Sequence, residues 1–121
     1  MANTFKVINF AAEPNSAGTP FTMYTVASST TTVVLGLILA NINTTAVTAE
    51  VELVSTTSNR AGANNAANGT SFLVKDVNIP SGTSLELLSG GKVVLEAGDV
   101  IRIDCSVADK LSGTLSIMEI T

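Results

Sequence analysis

Along the stretch VTAEVELVS the side chains change sides at every step: Val47, Ala49, Val51 and Leu53 fall on one face, Thr48, Glu50 and Glu52 on the other. A period of two belongs to an extended strand with one dry and one wet face, as in an antiparallel sheet. The same alternation runs through VIRIDCSV, where Ile101, Ile103, Cys105 and Val107 oppose Arg102, Asp104 and Ser106. Cys105 therefore points inward, as a free cysteine packed like a small hydrophobe. The most apolar run, VVLGLILANI from Val33 to Ile42, reads as a strand buried on both faces, with Gly36 marking a bulge or a close approach.

Shorter runs at 4–10, 21–26, 71–79, 84–88, 92–95 and 114–120 complete the set of strands. Clusters of Gly, Pro, Asn and Ser punctuate them, among them EPNSAGTP (13–20), PSG (80–82) and EAGD (96–99). Ser89-Gly90-Gly91 predicts a hairpin turn into Lys92, because glycines reach the positive φ of tight hairpins. Residues 56–70, TTSNRAGANNAANGT, hold no large apolar side chain and read as a flexible surface loop. No segment sustains a helical period. Eight or nine short strands separated by turns predict an all-β fold, a single antiparallel β-sandwich of jelly-roll type. One domain spanning 1–121 is expected, with an N-terminal strand or arm over 1–10.

Composition narrows the function. Hydrophobic residues make up 45% of the chain and charged residues 13%, about half the usual share of roughly 25%. Such a neutral surface protects a lone monomer poorly, which points to burial in a homo-oligomer or larger assembly. The six cations, Lys6, Arg60, Lys75, Lys92, Arg102 and Lys110, are scattered, and the net charge is −4. That pattern argues against nucleic acid, whose phosphates draw clustered Lys and Arg. The run at 33–42 is about half the roughly 20 residues a membrane-crossing helix needs, and the start MANTFKVINF lacks the features of a signal peptide, so neither a membrane nor export is expected. The glycosylation sequons at Asn43 and Asn68 are read as coincidence in a chain rich in Asn and Thr.

Candidate chemistry is sparse. The chain has no histidine, which removes the usual general base near neutral pH and the commonest metal ligand. Neither a Ser-His-Asp nor a Cys-His arrangement can be built. The neighbours Asp104 and Asp109 would raise a Cys105 thiol pKa, not lower it. Glu50 and Glu52 share one strand face and read as a solvated face; a carboxylate hydrolase using Glu50, Glu52, Asp99 and Asp104 is the enzymatic alternative. Glu96 and Asp99 around Ala97-Gly98 read as loop-shaping residues, with calcium the alternative. No catalytic, cofactor-binding or metal residue is assigned, and no cofactor is expected.

Three stretches, TVASSTTTVVLGLILANI (25–42), TSFLVKDVNIPSGTSLELLSGGKVVLEAGDVIRIDCS (70–106) and LSIMEIT (115–121), resemble small β-sandwich virion structural proteins of tailed bacteriophages. The resemblance covers most of 21–121 and is one of pattern, so it brings no catalytic residues. It implies a capsid decoration, or cement, protein that clamps the major capsid protein on the virion exterior, is made in the bacterial cytoplasm, and forms a homotrimer at local symmetry axes. A place in the tail, neck or fibre is the alternative it also admits. Within that reading the residues expected at a partner are Phe5, Val7 and Phe10 of the N-terminal arm. If the loop at 56–70 instead binds a host glycan or protein, Arg60, Asn64 and Asn65 are its contacts.

Overall fold

The computed structural model describes residues 2–55, 69–88 and 91–121. Among them are nine strands and no helix: β1 (Asn3–Glu13), β2 (Phe21–Thr25), β3 (Thr31–Asn41), β4 (Val47–Val54), β5 (Thr70–Ile79), β6 (Ser84–Leu87), β7 (Val93–Leu95), β8 (Val100–Cys105) and β9 (Leu111–Ile120). They form two antiparallel sheets packed face to face. Sheet A runs β1-β9-β3-β6, with β7 also on β3; sheet B runs β2-β8-β4-β5. With β6 and β7 counted as one edge, this is the strand order of a jelly roll, two interleaved Greek keys that alternate between the sheets.

The alternation in sequence becomes the core. Sheet A turns Val34, Leu37, Leu39, Leu95, Leu115 and Ile117 inward; sheet B answers with Ala49, Val51, Ile101, Ile103 and Cys105, all buried. At 2% exposure, Cys105 is a core side chain. In β3 the register slips between Val34 and Gly36 where it faces β9. One extra residue there lets Thr32 and Val34 point inward before the bulge and Leu37, Leu39 and Asn41 after it. Without that slip the second half of the run would turn its leucines to the outside.

Two expectations change. β3 is buried on one face only: Val33 and Leu35 are partly exposed and Ile38 is 43% exposed. A continuous apolar run is therefore compatible with an open outer face in the single chain. Nor does a hairpin join the segments flanking residues 89–91. β6 pairs Leu37–Ala40 of β3 and β7 pairs Thr32–Val34, both antiparallel, so β6 and β7 run the same way along one edge. The interruption contains Leu88 at φ 63.

Phe10 anchors the N-terminal strand. Its ring stacks on Phe21 with centroids 5.2 Å apart and lies over Gly113, where a Cβ would come within 2.5 Å of the ring. Only glycine leaves room for that approach. At the other end of the sandwich, the turn at 96–99 is stitched to the chain after β2 by Gly98 N–H to the Val26 carbonyl and Val26 N–H to the Asp99 carbonyl, both 3.0 Å. Gly98 takes φ 89 there, a conformation L side chains rarely adopt.

Candidate interaction surface

The two sheets present very different outer faces. In sheet A, Phe5 of β1 lies opposite Met118 of β9, Met118 opposite Val33 of β3, and Val33 opposite Val94 of β7. Directly opposed residues point to the same side of a sheet, so these four make one unbroken apolar row across four strands. The next row holds Val7 and Ser116, with Leu35 and Gly36 in the β3 bulge. A third holds Asn9, Thr114, Ile38 and Glu86. Phe5 is 71% exposed, Val7 65% and Val94 57%. A depression of about 280 Å³ between the first two rows is lined by Phe5, Lys6, Val7, Leu35, Ser116 and Ile117. The first two rows carry no charge.

On sheet B the charged positions of the central strands β8 and β4 are matched. Arg102 of β8 donates to Glu52 Oε2 of β4 from both Nε (3.0 Å) and Nη2 (2.6 Å). Lys75 of β5 donates to Glu50 Oε1 at 2.9 Å and sits 5.0 Å from the centre of the Phe72 ring. The Glu50 hydrogen bond, ahead of the smaller pull of Asp76, holds the Lys75 ammonium above its ordinary pKa. Asp104 lies opposite Glu50 and is buried; its Oδ1 accepts from the N–H groups of Cys105 (2.8 Å) and Gly18 (3.2 Å) and ties the 14–20 loop to β8. A groove of about 200 Å³ beside it is lined by Gly18, Thr48, Glu50, Asp76, Asp104, Cys105 and Ser106.

This geometry corrects the picture of a free acidic face. Glu50 and Glu52 do share a side, but each is engaged by a cation, and Glu52 and Asp104 are each only 8% exposed. A carboxylate pair working as acid and nucleophile needs both groups open to a substrate. Among the described residues no group of three or more Cys, Asp or Glu side chains is arranged to hold a metal ion. Asp99 is fully buried and its Oδ2 accepts the Glu96 N–H at 3.0 Å, so it shapes the turn.

A polar cluster inside the sandwich escaped the sequence reading. The Tyr24 hydroxyl crosses from sheet B to donate to Glu119 Oε2 of β9 (2.6 Å) and shares a hydrogen bond with the Thr32 hydroxyl of β3 (2.7 Å). Lys6 Nζ of β1 closes on Glu119 Oε1 at 2.6 Å. Burial and the Glu119 carboxylate push the Tyr24 pKa up to about 12. The Lys6 hydrogen bond, and then that of Tyr24, hold Glu119 below the usual carboxylate range. The cluster pins β1, β9 and β3 to β2. A tyrosine between Met23 and Thr25 in an apolar strand was the one signal of it, since a buried phenol needs a partner.

Of the residues expected at a partner, Phe5 and Val7 lie on the open face of sheet A, and Phe10 is occupied inside by Phe21 and Gly113. Arg60, Asn64 and Asn65, with residues 56–68 of the expected loop, lie outside the described residues. Val33, Leu35, Val94 and Met118, which complete the face, were missed because cross-strand neighbours are set by register. No protein-family model, curated protein or solved structure matches the chain.

Proposed function

We propose that the protein is a non-enzymatic virion structural protein of the capsid-decoration kind, seated on the major capsid protein or a neighbouring virion protein by the outer face of sheet A. The observation that carries the reading is the uncharged row Phe5–Met118–Val33–Val94 with Val7, Leu35 and Ile38 beside it. Monomeric proteins rarely leave such a contiguous patch open, and a flat apolar sheet face with a polar border suits a protein surface better than a small substrate. Carboxylates held by cations or by backbone N–H groups support a role without catalysis. The virion setting rests on the sequence resemblance. A tail, neck or fibre location would use the same face, and density of the intact particle separates the two.

Seating works by exclusion of water from that face, with the polar face of sheet B left to solvent. Val94→Lys, at the β7 end of the uncharged row, or Ile38→Lys, in the row beside it, puts an ammonium into the seat at positions that carry no core. Particles assembled with either variant are expected to lose the protein on washing, and shells without it to break at lower temperature than complete ones. Full occupancy with both variants would overturn the reading.

A further inference from the structure

Every open sheet carries edge strands whose unpaired backbone invites another chain, and folded proteins blunt those edges. Among the described residues the two sheets have four edges, and three of them are blunted. The β6/β7 edge is built from strands of 4 and 3 residues. β2 is 5 residues long, follows Pro20, and slips register between Thr22 and Tyr24. β5 is broken by two register shifts against β4 and carries Lys75 and Asp76, the latter at φ 49. From Asn3 to Phe10 β1 carries a single charge, Lys6, which Glu119 engages, and no other such device: its pairing with β9 is regular over that whole stretch, and the first irregularity comes after Phe10.

The open side of β1 can be assigned residue by residue. Ala2 and Thr121 exchange both backbone hydrogen bonds, at 3.0 and 2.9 Å. In an antiparallel pair such exchanges recur at every second residue, so Thr4, Lys6, Ile8 and Phe10 direct their N–H and C=O to β9. Asn3, Phe5, Val7 and Asn9 direct theirs outward. Phe5 and Val7, whose backbones face the open edge, are also the most exposed apolar side chains of the outer face.

The geometry points to a second copy of this chain as the occupant: two β1 strands pair antiparallel about a two-fold axis normal to sheet A. The covering element must be a strand with a free backbone edge and apolar residues on the matching face, and among the described residues β1 itself is the one that qualifies. A two-fold of this kind keeps outer face with outer face, so residues of like parity meet. Centred on Lys6, it would oppose two ammonium groups. Centred on Val7, it sets Val7 against its own counterpart, Phe5 against Asn9 and Lys6 against Ile8, with no like charges opposed. Charge permits the approach: copies of net charge −4 meet where Lys6 of β1 is already matched by Glu119. The apolar faces then join into one surface running from Val94 of one copy to Val94 of the other.

Strength follows from area. Pairing over about 30 Å of strand at an edge about 10 Å thick covers roughly 300 Å² on each copy, against about 800 Å² per partner in a standard stable interface. The dimer is therefore weak in free solution and is favoured where copies are concentrated. This inference stands apart from the virion reading, because purified protein alone tests it.

Sedimentation velocity across a concentration series is the measurement, with circular dichroism confirming that each variant folds. The wild-type chain is expected to dimerise reversibly with a Kd of about 0.1 mM. Val7→Pro removes only an outward N–H, a loss edge strands accommodate, and is expected to weaken the dimer at least about tenfold. Val7→Lys and Val7→Glu should each be monomeric, and an equimolar mixture of the two should recover the dimer. A wild-type chain that stays monomeric at about 1 mM, a trimer, or a dimer indifferent to all three Val7 variants overturns the inference. Loss of a Val94→Lys protein from particles bears on the seat and leaves this pairing untouched.

Discussion

The outer faces of sheets A and B are built by the same period-two rule and end in opposite states. On sheet B, every charge of the central strands meets a counterpart: Glu52 with Arg102 and Glu50 with Lys75, while Asp104 accepts two backbone N–H groups. The charges of that face are matched within the single chain, and its one large exposed apolar side chain among the described residues, Phe72, lies under the Lys75 ammonium. On sheet A the same positions hold Phe5, Met118, Val33 and Val94, which cover one another only at their flanks. The lesson is that burial on one side of a sheet is decided by the partner sheet, whereas the chemistry of the other side records what the molecule meets next.

The comparison is sharpened first by the core the two faces share. Leu115→Ala in sheet A and Ile103→Ala in sheet B remove side chains that are both fully buried. Each is expected to lower unfolding free energy by about 3 kcal/mol in urea titrations. Equal losses would place the difference between the sheets on their outer faces alone. Gly113→Ala drives a Cβ into the Phe10 ring and should cost about 2 kcal/mol, less if Phe10→Ala is present in the same chain.

The polar cluster under sheet A gives a pH signature. Tyr24 titrates near 10 in the unfolded chain and about 12 in the folded one. The folded state holds the proton longer, so stability is intact below pH 10 and falls by about 2 kcal/mol as pH rises toward 12. Glu119 acts in the opposite sense. Its folded pKa lies below the ordinary range, so its contribution is present above that range and is lost as pH falls through the folded value. Tyr24→Phe should cost about 1 kcal/mol at neutral pH, by leaving the Thr32 hydroxyl short of a partner, and should make the alkaline decline in a thermal-melt series shallower, with Lys75, whose pKa is also raised, contributing to the remainder.

Smaller effects separate the outer faces directly. Arg102→Met breaks a partly buried, two-pronged ion pair and should cost about 1 kcal/mol, reduced at high salt. Lys75→Met, on an exposed pair, should leave the melting temperature unchanged. Val94→Lys should also leave folding within about 0.5 kcal/mol while raising solubility, because its side chain packs against nothing in the core. A large loss of folding stability with Val94→Lys would mean that the face serves the fold instead.

Much of the architecture was legible in sequence because it depends on local alternation. The inward sets Val47/Ala49/Val51 and Ile101/Ile103/Cys105 could be written from periodicity, and Gly36 marked a bulge that the β3–β9 register contains. What failed was everything that needs a neighbour distant in sequence. Periodicity gave Glu52 and Asp104 a side but not the Arg102 side chain or the Gly18 and Cys105 amides that take them from water. It read β3 as covered on both faces because an apolar run says that burial is needed and not who supplies it. The Tyr24–Glu119–Lys6 cluster joins residues from nearly the full length of the chain and has no local signature. Phe5 and Val7 were found as a pair, while the row they head became visible only with the register of β1, β9, β3 and β7.

The central claim is that sheet A faces protein and sheet B faces water. A density map of an intact particle carrying this chain, at a resolution that separates strands, tests it most directly. The account predicts the row from Phe5 to Val94 against a neighbouring protein and the Glu52–Arg102 pair in solvent. A chain seated by the Glu52–Arg102 face, with Phe5, Val7 and Val94 in open solvent, would contradict it.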